Sequence, residues 1–162
     1  MPIETINDPT TQKPQKVVIT LPTRGVSVEV YLFGATVTSW KVNGVEQLFL
    51  SKQAKLDGSK PIRGGIPLVF PQFGPGPHLP QHGFARTAYW QVAYQIDRVD
   101  TAAVHFLLTD TEETRVSAWG YRFSLLYKVT VTQTTLSTIV EYMNCEAERE
   151  FEFTALMHTY LR

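Results

Sequence analysis

The amino-acid sequence predicts an all-β fold, arranged as an antiparallel β-sandwich. Apolar and polar residues alternate with a period of two over most of the 162 residues, which is the pattern of half-buried strands. An Asn43-Gly44 pair between two apolar runs is typical of a tight hairpin. Helical stripes are scarce, whereas runs of Thr, Val, Tyr and Phe are separated by short turns, as in sandwiches and barrels.

The first half of the chain contains four predicted strands. The apolar run 17–21 predicts the first strand, and the alternation over 26–33 predicts the second. The segment 36–42 predicts a third strand, which the hairpin joins to a fourth at 46–50. Residues 1–15 are polar and lack a signal-peptide core, so we expect a mobile lead-in before a single domain at 16–162.

The second half continues the same pattern. Period-two runs predict strands at 89–97, 102–110, 121–133 and 135–144. Residues 110–119 favour one or two helical turns in an irregular connection. The segment 151–162 begins as alternation and becomes continuously apolar, so we expect a buried strand there. Because the chain ends within this segment, we expect that the natural polypeptide continues or that this is a fragment.

The composition narrows the possible functions. Lys plus Arg equals Asp plus Glu, at 15 each, so no overall field favours nucleic acid or an anionic membrane. The single Cys145 excludes an internal disulfide, which fits a reducing compartment. No apolar run approaches the ~20 residues that a membrane span needs. We therefore expect a cytoplasmic protein that binds neither nucleic acid nor membrane; the composition leaves its oligomeric state open.

The loop 57–86 is the most informative part of the chain. Prolines exclude a regular helix or an inner strand, and glycines permit tight turns and close approach to a ligand. A loop of this length inside a domain is functional or disordered. Disorder conflicts with its apolar residues, which we expect to be buried: Ile66, Leu68, Val69, Phe70, Phe73 and Phe84. The loop is therefore expected to be ordered and to present Arg63, Gln81, His82 and Arg86.

Two interpretations of the arginines stay open at this point. Arg63 precedes two glycines in KPIRGG and Arg86 closes the loop in HGFAR, so both could hold one phosphate or carboxylate. Alternatively, they are surface residues paired with Asp57 or Glu46.

The histidines also allow two interpretations. His82 could bind a polar substrate or merely order the loop, and His158 could carry a proton or be a structural histidine. His78 lies four residues before His82, but the prolines around it prevent the helix that such a metal pair needs. No zinc-binding pattern is present, so we expect neither a metal nor a cofactor.

Four stretches of the sequence resemble one known family. They occur in the order FGATVTSWK, LFLSKQAKLDGSKPIRGGIPLVFPQFG, LPQHGFAR and LMHTYLR. Together they resemble the hexose-6-phosphate mutarotases, or glucose-6-phosphate 1-epimerases, of the aldose 1-epimerase-like superfamily, over about residues 17–162. The resemblance implies the antiparallel β-supersandwich of galactose mutarotase. It also implies interconversion of the α and β anomers of an aldohexose 6-phosphate.

The resemblance assigns roles residue by residue. Arg63, Gln81 and Arg86 match substrate-binding positions, and His158 in MHTYLR matches the catalytic histidine, which would act as the general acid. His82 is placed with the substrate-binding residues because of its position in the loop, where it could donate a hydrogen bond to a polar substrate or accept one from it. Family members are longer, and their catalytic glutamate lies beyond the end of this sequence, so the base is expected outside the chain. The alternative is a non-catalytic module that binds sugar phosphate or carbohydrate on the same scaffold.

Overall fold

Two antiparallel meanders pack on one another to form most of the molecule. The structure, a computed structural model, describes residues 3–22, 25–76 and 79–162. The first sheet holds five strands in chain order: β1 (Ile3–Asn7), β2 (Pro14–Leu21), β3 (Val26–Tyr31), β4 (Thr36–Val42) and β5 (Val45–Glu46). The second sheet holds β7 (Gln91–Asp97), β8 (Thr101–Thr109), β9 (Phe123–Thr132) and β10 (Leu136–Asn144), again as consecutive antiparallel neighbours. A separate two-stranded pair joins β6 (Leu68–Val69) to β11 (Leu156–Met157).

The core lies between the two sheets. Ile19 and Val28 from the first sheet and Phe106 and Tyr127 from the second belong to one buried cluster, and each is fully buried. Each such side chain contributes about 1.5–3 kcal/mol through removal of its apolar surface from water. The alternating burial along β9 shows why the period-two pattern predicted this architecture. The all-β antiparallel prediction is therefore confirmed.

The hairpin and the short helix also agree with the sequence. Asn43 and Gly44 have φ of +53° and +76°, as the turn between β4 and β5 requires of both central residues. The only α-helix in the described part of the chain is α1 (Glu112–Arg115), whose first turn is capped by the Thr111 hydroxyl, which accepts from the Thr114 amide. None of the helices in the described ranges is long and apolar enough to cross a membrane.

Phe70 packs the loop 57–86 against aromatic residues of the second half of the chain. Phe70 is 1% exposed and contacts Trp119, Phe123 and Tyr142 at ring-centroid distances of 5.2–5.5 Å. Of the six loop residues expected to be buried, Ile66, Leu68, Val69 and Phe70 are buried and Phe84 is half-buried. Phe73 is 47% exposed, so that expectation was wrong: Phe73 instead stacks on the His82 ring, at 5.4 Å.

The expectation of a mobile lead-in at 1–15 is corrected by β1 and the start of β2. Ile3 lies opposite Ile19 and is 9% exposed, and Asp8 caps the intervening turn by accepting from the amides of Thr10 and Thr11. One buried apolar residue in a short polar segment is too weak a period-two signal to recognise. The remaining two lead-in residues and His78 lie outside the described residues.

The strand predicted at 46–50 is shorter than expected. Regular pairing with β4 ends at Glu46, whose carboxylate accepts hydrogen bonds from the Ser39 hydroxyl and from the amides of Trp40 (2.9 Å) and Leu48 (3.1 Å). These bonds turn the chain away from β4. Leu48 and Leu50 then form only isolated bridges, to residues 161 and 64.

The buried strand expected at 151–162 is also corrected. Regular pairing is confined to β11, Leu156 is 41% exposed and His158 is half-buried. After β11 the segment no longer pairs as a regular strand. It is attached to the loop by separate backbone hydrogen bonds, in which the amides of His158 and Tyr160 donate to the carbonyls of Pro67 and Gly65, at 3.0 and 2.9 Å. The segment is therefore seated on the loop rather than within the core.

A paired glycine substitution tests the close packing of the loop. Gly65 has φ of +67°, and a Cβ there would clash with the Val37 carbonyl, whereas Gly44 has φ of +76° and open space around it. Gly44→Ala should lower the free energy of unfolding by about 1 kcal/mol, through backbone strain alone. Gly65→Ala should lower it by about 3 kcal/mol or more, because the backbones of residues 65 and 37 must also separate. Urea unfolding of both variants measures the difference, and equal losses would contradict the packing described.

Substitution of Glu46 tests the turn after β5. Burial raises the pKa of this carboxyl, but the hydrogen bonds from Ser39, Trp40 and Leu48 outweigh it, so the folded-state pKa lies below the ordinary value of 4.5. Its stabilisation is therefore present above that value and is lost as pH falls through the folded pKa. Glu46→Gln should lose about 1 kcal/mol at pH 7, a modest amount because the carboxylate is partly exposed.

The pH dependence of unfolding gives the second measurement for this variant. Wild-type stability should fall more steeply than that of Glu46→Gln between about pH 5 and pH 3. Parallel stability curves for the two proteins would show that the Glu46 hydrogen bonds do not stabilise the fold.

Candidate active site

A pocket of about 510 Å³ gathers most of the predicted site residues. Arg63, His82, Arg86 and His158 all line it, although they come from three separate stretches of the sequence. Its polar and aromatic lining also includes Lys60, Tyr160, Phe49 and Ser51. Among the residues that the structure describes, no Asp or Glu lines this pocket. The lining is therefore cationic, with two imidazoles.

The two arginines reach the pocket without a carboxylate partner. The ion pairs found in the described ranges involve neither Arg63 nor Arg86. The Asp57 carboxylate accepts from Ser59, and that of Glu46 is engaged as described above, which contradicts the alternative that these acids neutralise the arginines. Two guanidinium groups in one pocket, neither with an ion-pair partner in the described ranges, favour binding of an anion.

Arg86 is held in place by the loop itself. Its Nη2 donates to the carbonyl oxygen of Gln81 at 2.9 Å. Burial lowers the pKa of the Arg86 guanidinium and the neighbouring Tyr160 raises it, but an arginine stays protonated at physiological pH. The positive charge is thus fixed in position and independent of pH.

Gln81 is placed differently from the other predicted residues. It is exposed and lines a neighbouring cavity of about 670 Å³, which shares Arg86 with the first pocket. Its described contact with the site is through its backbone carbonyl, which accepts the hydrogen bond from the Arg86 guanidinium. A substrate-binding role for the Gln81 side chain stays a prediction.

His82 is oriented by a backbone carbonyl. Its Nδ1 lies 2.6 Å from the carbonyl oxygen of Phe73. Because a carbonyl can only accept, Nδ1 carries a proton, and in the neutral ring Nε2 is left as an acceptor. His82 also has φ of +72°, a strained value for a non-glycine residue. Such strain is concentrated at functional positions, which favours a binding role over a merely structural one.

His158 and Tyr160 reach the pocket as alternate residues of an extended segment. Side chains two residues apart project to the same side, and these two rings stack with centroids 4.6 Å apart. The His158 ring also meets the His82 ring edge-on, at 6.1 Å. Both imidazoles therefore face one small volume, beside the guanidinium groups.

Sequence reasoning missed one charged residue of this pocket. Lys60 lines the pocket, three positions before Arg63. The available signal was the spacing in KPIR, where a proline between two cations keeps the segment extended. Tyr160 also lines the pocket and was not predicted as a site residue. No group of three or more His, Cys, Asp or Glu with the arrangement of a metal site occurs in the described ranges.

Known proteins share both the sequence and the architecture. A provisionally named glucose-6-phosphate 1-epimerase from Cenchrus ciliaris is 36% identical over 146 residues, which cover 85% of this chain and 44% of that protein. A provisionally assigned mutarotase from Salmonella typhimurium superposes with a TM-score of 0.81 at 30% identity, covering 98% of this chain and 54% of that one. The chain thus spans about half the length of these relatives.

A more distant structure supports the fold alone. A galactose mutarotase-like protein from Clostridium acetobutylicum has a TM-score of 0.72 at 19% identity, over 90% of this chain and 50% of that one. The two sheets therefore have the architecture of the galactose mutarotase-like β-supersandwich. The family model described as aldose 1-epimerase matches residues 17–162, which include every residue of the pocket. The chain belongs to the aldose 1-epimerase family.

Proposed function

We propose that the pocket binds an aldohexose 6-phosphate and serves the interconversion of its α and β anomers. The observation that carries this proposal is the convergence of Arg63 and Arg86, both without an ion-pair partner in the described ranges, with His82 and His158. The family supports a sugar anomer as substrate, and the name of the Cenchrus ciliaris relative supports a phosphorylated one. Because the chain spans about half of its relatives, activity of the whole protein is part of the proposal.

The arginines would hold the 6-phosphate. A planar guanidinium donates two parallel hydrogen bonds to phosphate oxygens, and two such groups restrain the sugar at one end. The rest of the ring then lies toward the imidazoles. Such positioning lowers the entropic cost of bringing the reacting atoms to the catalytic groups.

His158 would act as the general acid. Ring opening transfers a proton to the ring oxygen while the C1 hydroxyl loses its proton; the C1–O5 bond breaks and the aldehyde forms. Rotation about C1–C2 and closure on the other face give the second anomer, with both protons returned. His82, whose neutral Nε2 can only accept, would orient a sugar hydroxyl.

The base is assigned outside these 162 residues. A carboxylate would suit the removal of the C1 proton, and none lines the pocket in the described part of the chain. The same observation favours a second candidate function, in which the chain is a non-catalytic module that binds sugar phosphates. The two functions differ in whether the natural gene product accelerates anomerisation.

Substitution of Arg63 tests the phosphate role. Arg63→Ala should weaken binding of glucose 6-phosphate by about 10–100-fold, because a charge-assisted hydrogen bond is worth about 1.5–3 kcal/mol. Arg98→Ala, which removes the same charge in the turn between β7 and β8, is the matched control and should change binding little. Isothermal titration calorimetry measures both, and similar losses in the two variants would contradict a specific role for Arg63.

Substitution of His158 tests the acid role. In the natural gene product that contains this sequence, His158→Asn should slow anomerisation of glucose 6-phosphate by about 10²–10⁴-fold while binding stays nearly unchanged. His105→Asn on β8, outside the pocket, is the control. Polarimetry on freshly dissolved α anomer gives the rate. A small effect would return His158 to a structural role, and a wild type that binds without acceleration would support the binding module.

A further inference from the structure

We infer that Lys60 is the third cation of the pocket and that it selects dianionic phosphate monoesters over monoanionic sugar derivatives. This inference rests on the proposed function and adds a specificity-determining residue to it. Lys60 shares the pocket with Arg63 and Arg86. Three features support it: the anchored KPIR segment, the absence of a counterion among the described residues, and the charge of a phosphate ester.

The backbone between Lys60 and Arg63 is anchored. Ile62 is 4% exposed and belongs to a buried cluster with Tyr31 and Phe33, while Pro61 has a fixed φ. Lys60 and Arg63 are both exposed and both line the pocket on either side of this anchor. Their charges are therefore presented together from one short, well-fixed segment.

No carboxylate in the described ranges neutralises Lys60. The nearest acid along the chain is Asp57, whose pKa is lowered by the hydroxyl and amide of Ser59 and, to a smaller extent, by the charge of Lys55. Lys60 takes part in none of the ion pairs found among the described residues. With Arg63 and Arg86, it gives the pocket three positive charges, and no carboxylate among the described residues lines it.

Three positive charges in the pocket match a ligand with two negative charges better than a ligand with one. A phosphate monoester carries about −1.5 to −2 charges at pH 7, because its second pKa is about 6. The two guanidinium groups can bind its oxygens in a fixed geometry, whereas an ammonium group acts as a compact point charge on a flexible stem. Lys60 should therefore contribute chiefly through charge, and more to a dianion than to a monoanion.

The test must separate the charge of the phosphate from the contributions of the other polar groups in the pocket. His82 and His158 face the same volume, and the phenol of Tyr160 lies beside them. Glucose 6-sulfate is a monoanion from pH 5.0 to 7.5, so its binding is the reference for every contribution other than the second ionisation of the phosphate. The ratio of phosphate to sulfate affinity then isolates the second ionisation of the phosphate.

The experiment compares binding of glucose 6-phosphate and glucose 6-sulfate by calorimetry from pH 5.0 to 7.5. In the wild type, the phosphate-to-sulfate affinity ratio should rise about 5–10-fold over this range. Lys60→Met should bind glucose 6-phosphate about 5–20-fold more weakly at pH 7.5 and should flatten this rise. Lys60→Arg should keep both, and Lys52→Met, which removes an exposed lysine that does not line the pocket, is the matched control.

The outcomes separate this inference from the proposed function. A wild type that binds neither ligand would overturn the proposed function. Normal wild-type binding with an unchanged Lys60→Met variant would overturn only the role of Lys60. Equal losses for phosphate and sulfate in Lys60→Met, or a wild-type ratio independent of pH, would overturn the selection of a dianion. Unchanged melting temperatures are expected for all variants because both lysines are exposed.

Discussion

The close approach of three backbone segments at Gly65 is the constraint on which the pocket depends. The Gly65 amide donates to the Phe49 carbonyl at 2.8 Å, and its carbonyl accepts from the Tyr160 amide at 2.9 Å. The next amide, that of Ile66, donates to Val37 on β4 at 2.9 Å. One position without a Cβ therefore joins the first sheet, the rim of the pocket and the segment that carries the imidazole of His158. Any side chain at that position would separate elements that must meet for the pocket to exist.

The pocket concentrates charge in a protein whose total charge is balanced. Lys60, Arg63 and Arg86 lie together, while several acids of the described ranges are used for local structure. Glu46 turns the chain after β5, and Asp57 orders its own turn. Because acids and bases serve different purposes in different places, the neutral composition conceals a local cluster of positive charge.

The success of sequence reasoning followed the strength of each local signal. The strands from β7 to β10 could be predicted because a face buried against a core imposes a long alternation, and the Asn43-Gly44 turn because few residue pairs accept two positive φ values. Prolines and glycines identified the ordered loop. The same reasoning failed at β1, where only Ile3 is buried, and at 151–162, where Phe153, Leu156, Tyr160 and Leu161 are exposed. Lys60 was missed because the presence of a cation in a pocket depends on tertiary approach, which no local pattern records.

The bond between His82 and the Phe73 carbonyl has a consequence for the ligands that the pocket can accept. A ring anchored through Nδ1–H presents a lone pair on Nε2 in its neutral form, so the pocket has a fixed polarity on that side. A hydroxyl group can satisfy this lone pair, but an ether oxygen or a fluorine at the same place would bring two lone pairs together. An acceptor that loses its hydrogen-bond donor on ligand binding disfavours such analogues. For the proposed sugar-phosphate ligand, O-methylated and fluorinated analogues would therefore identify the ring carbon that lies nearest this histidine.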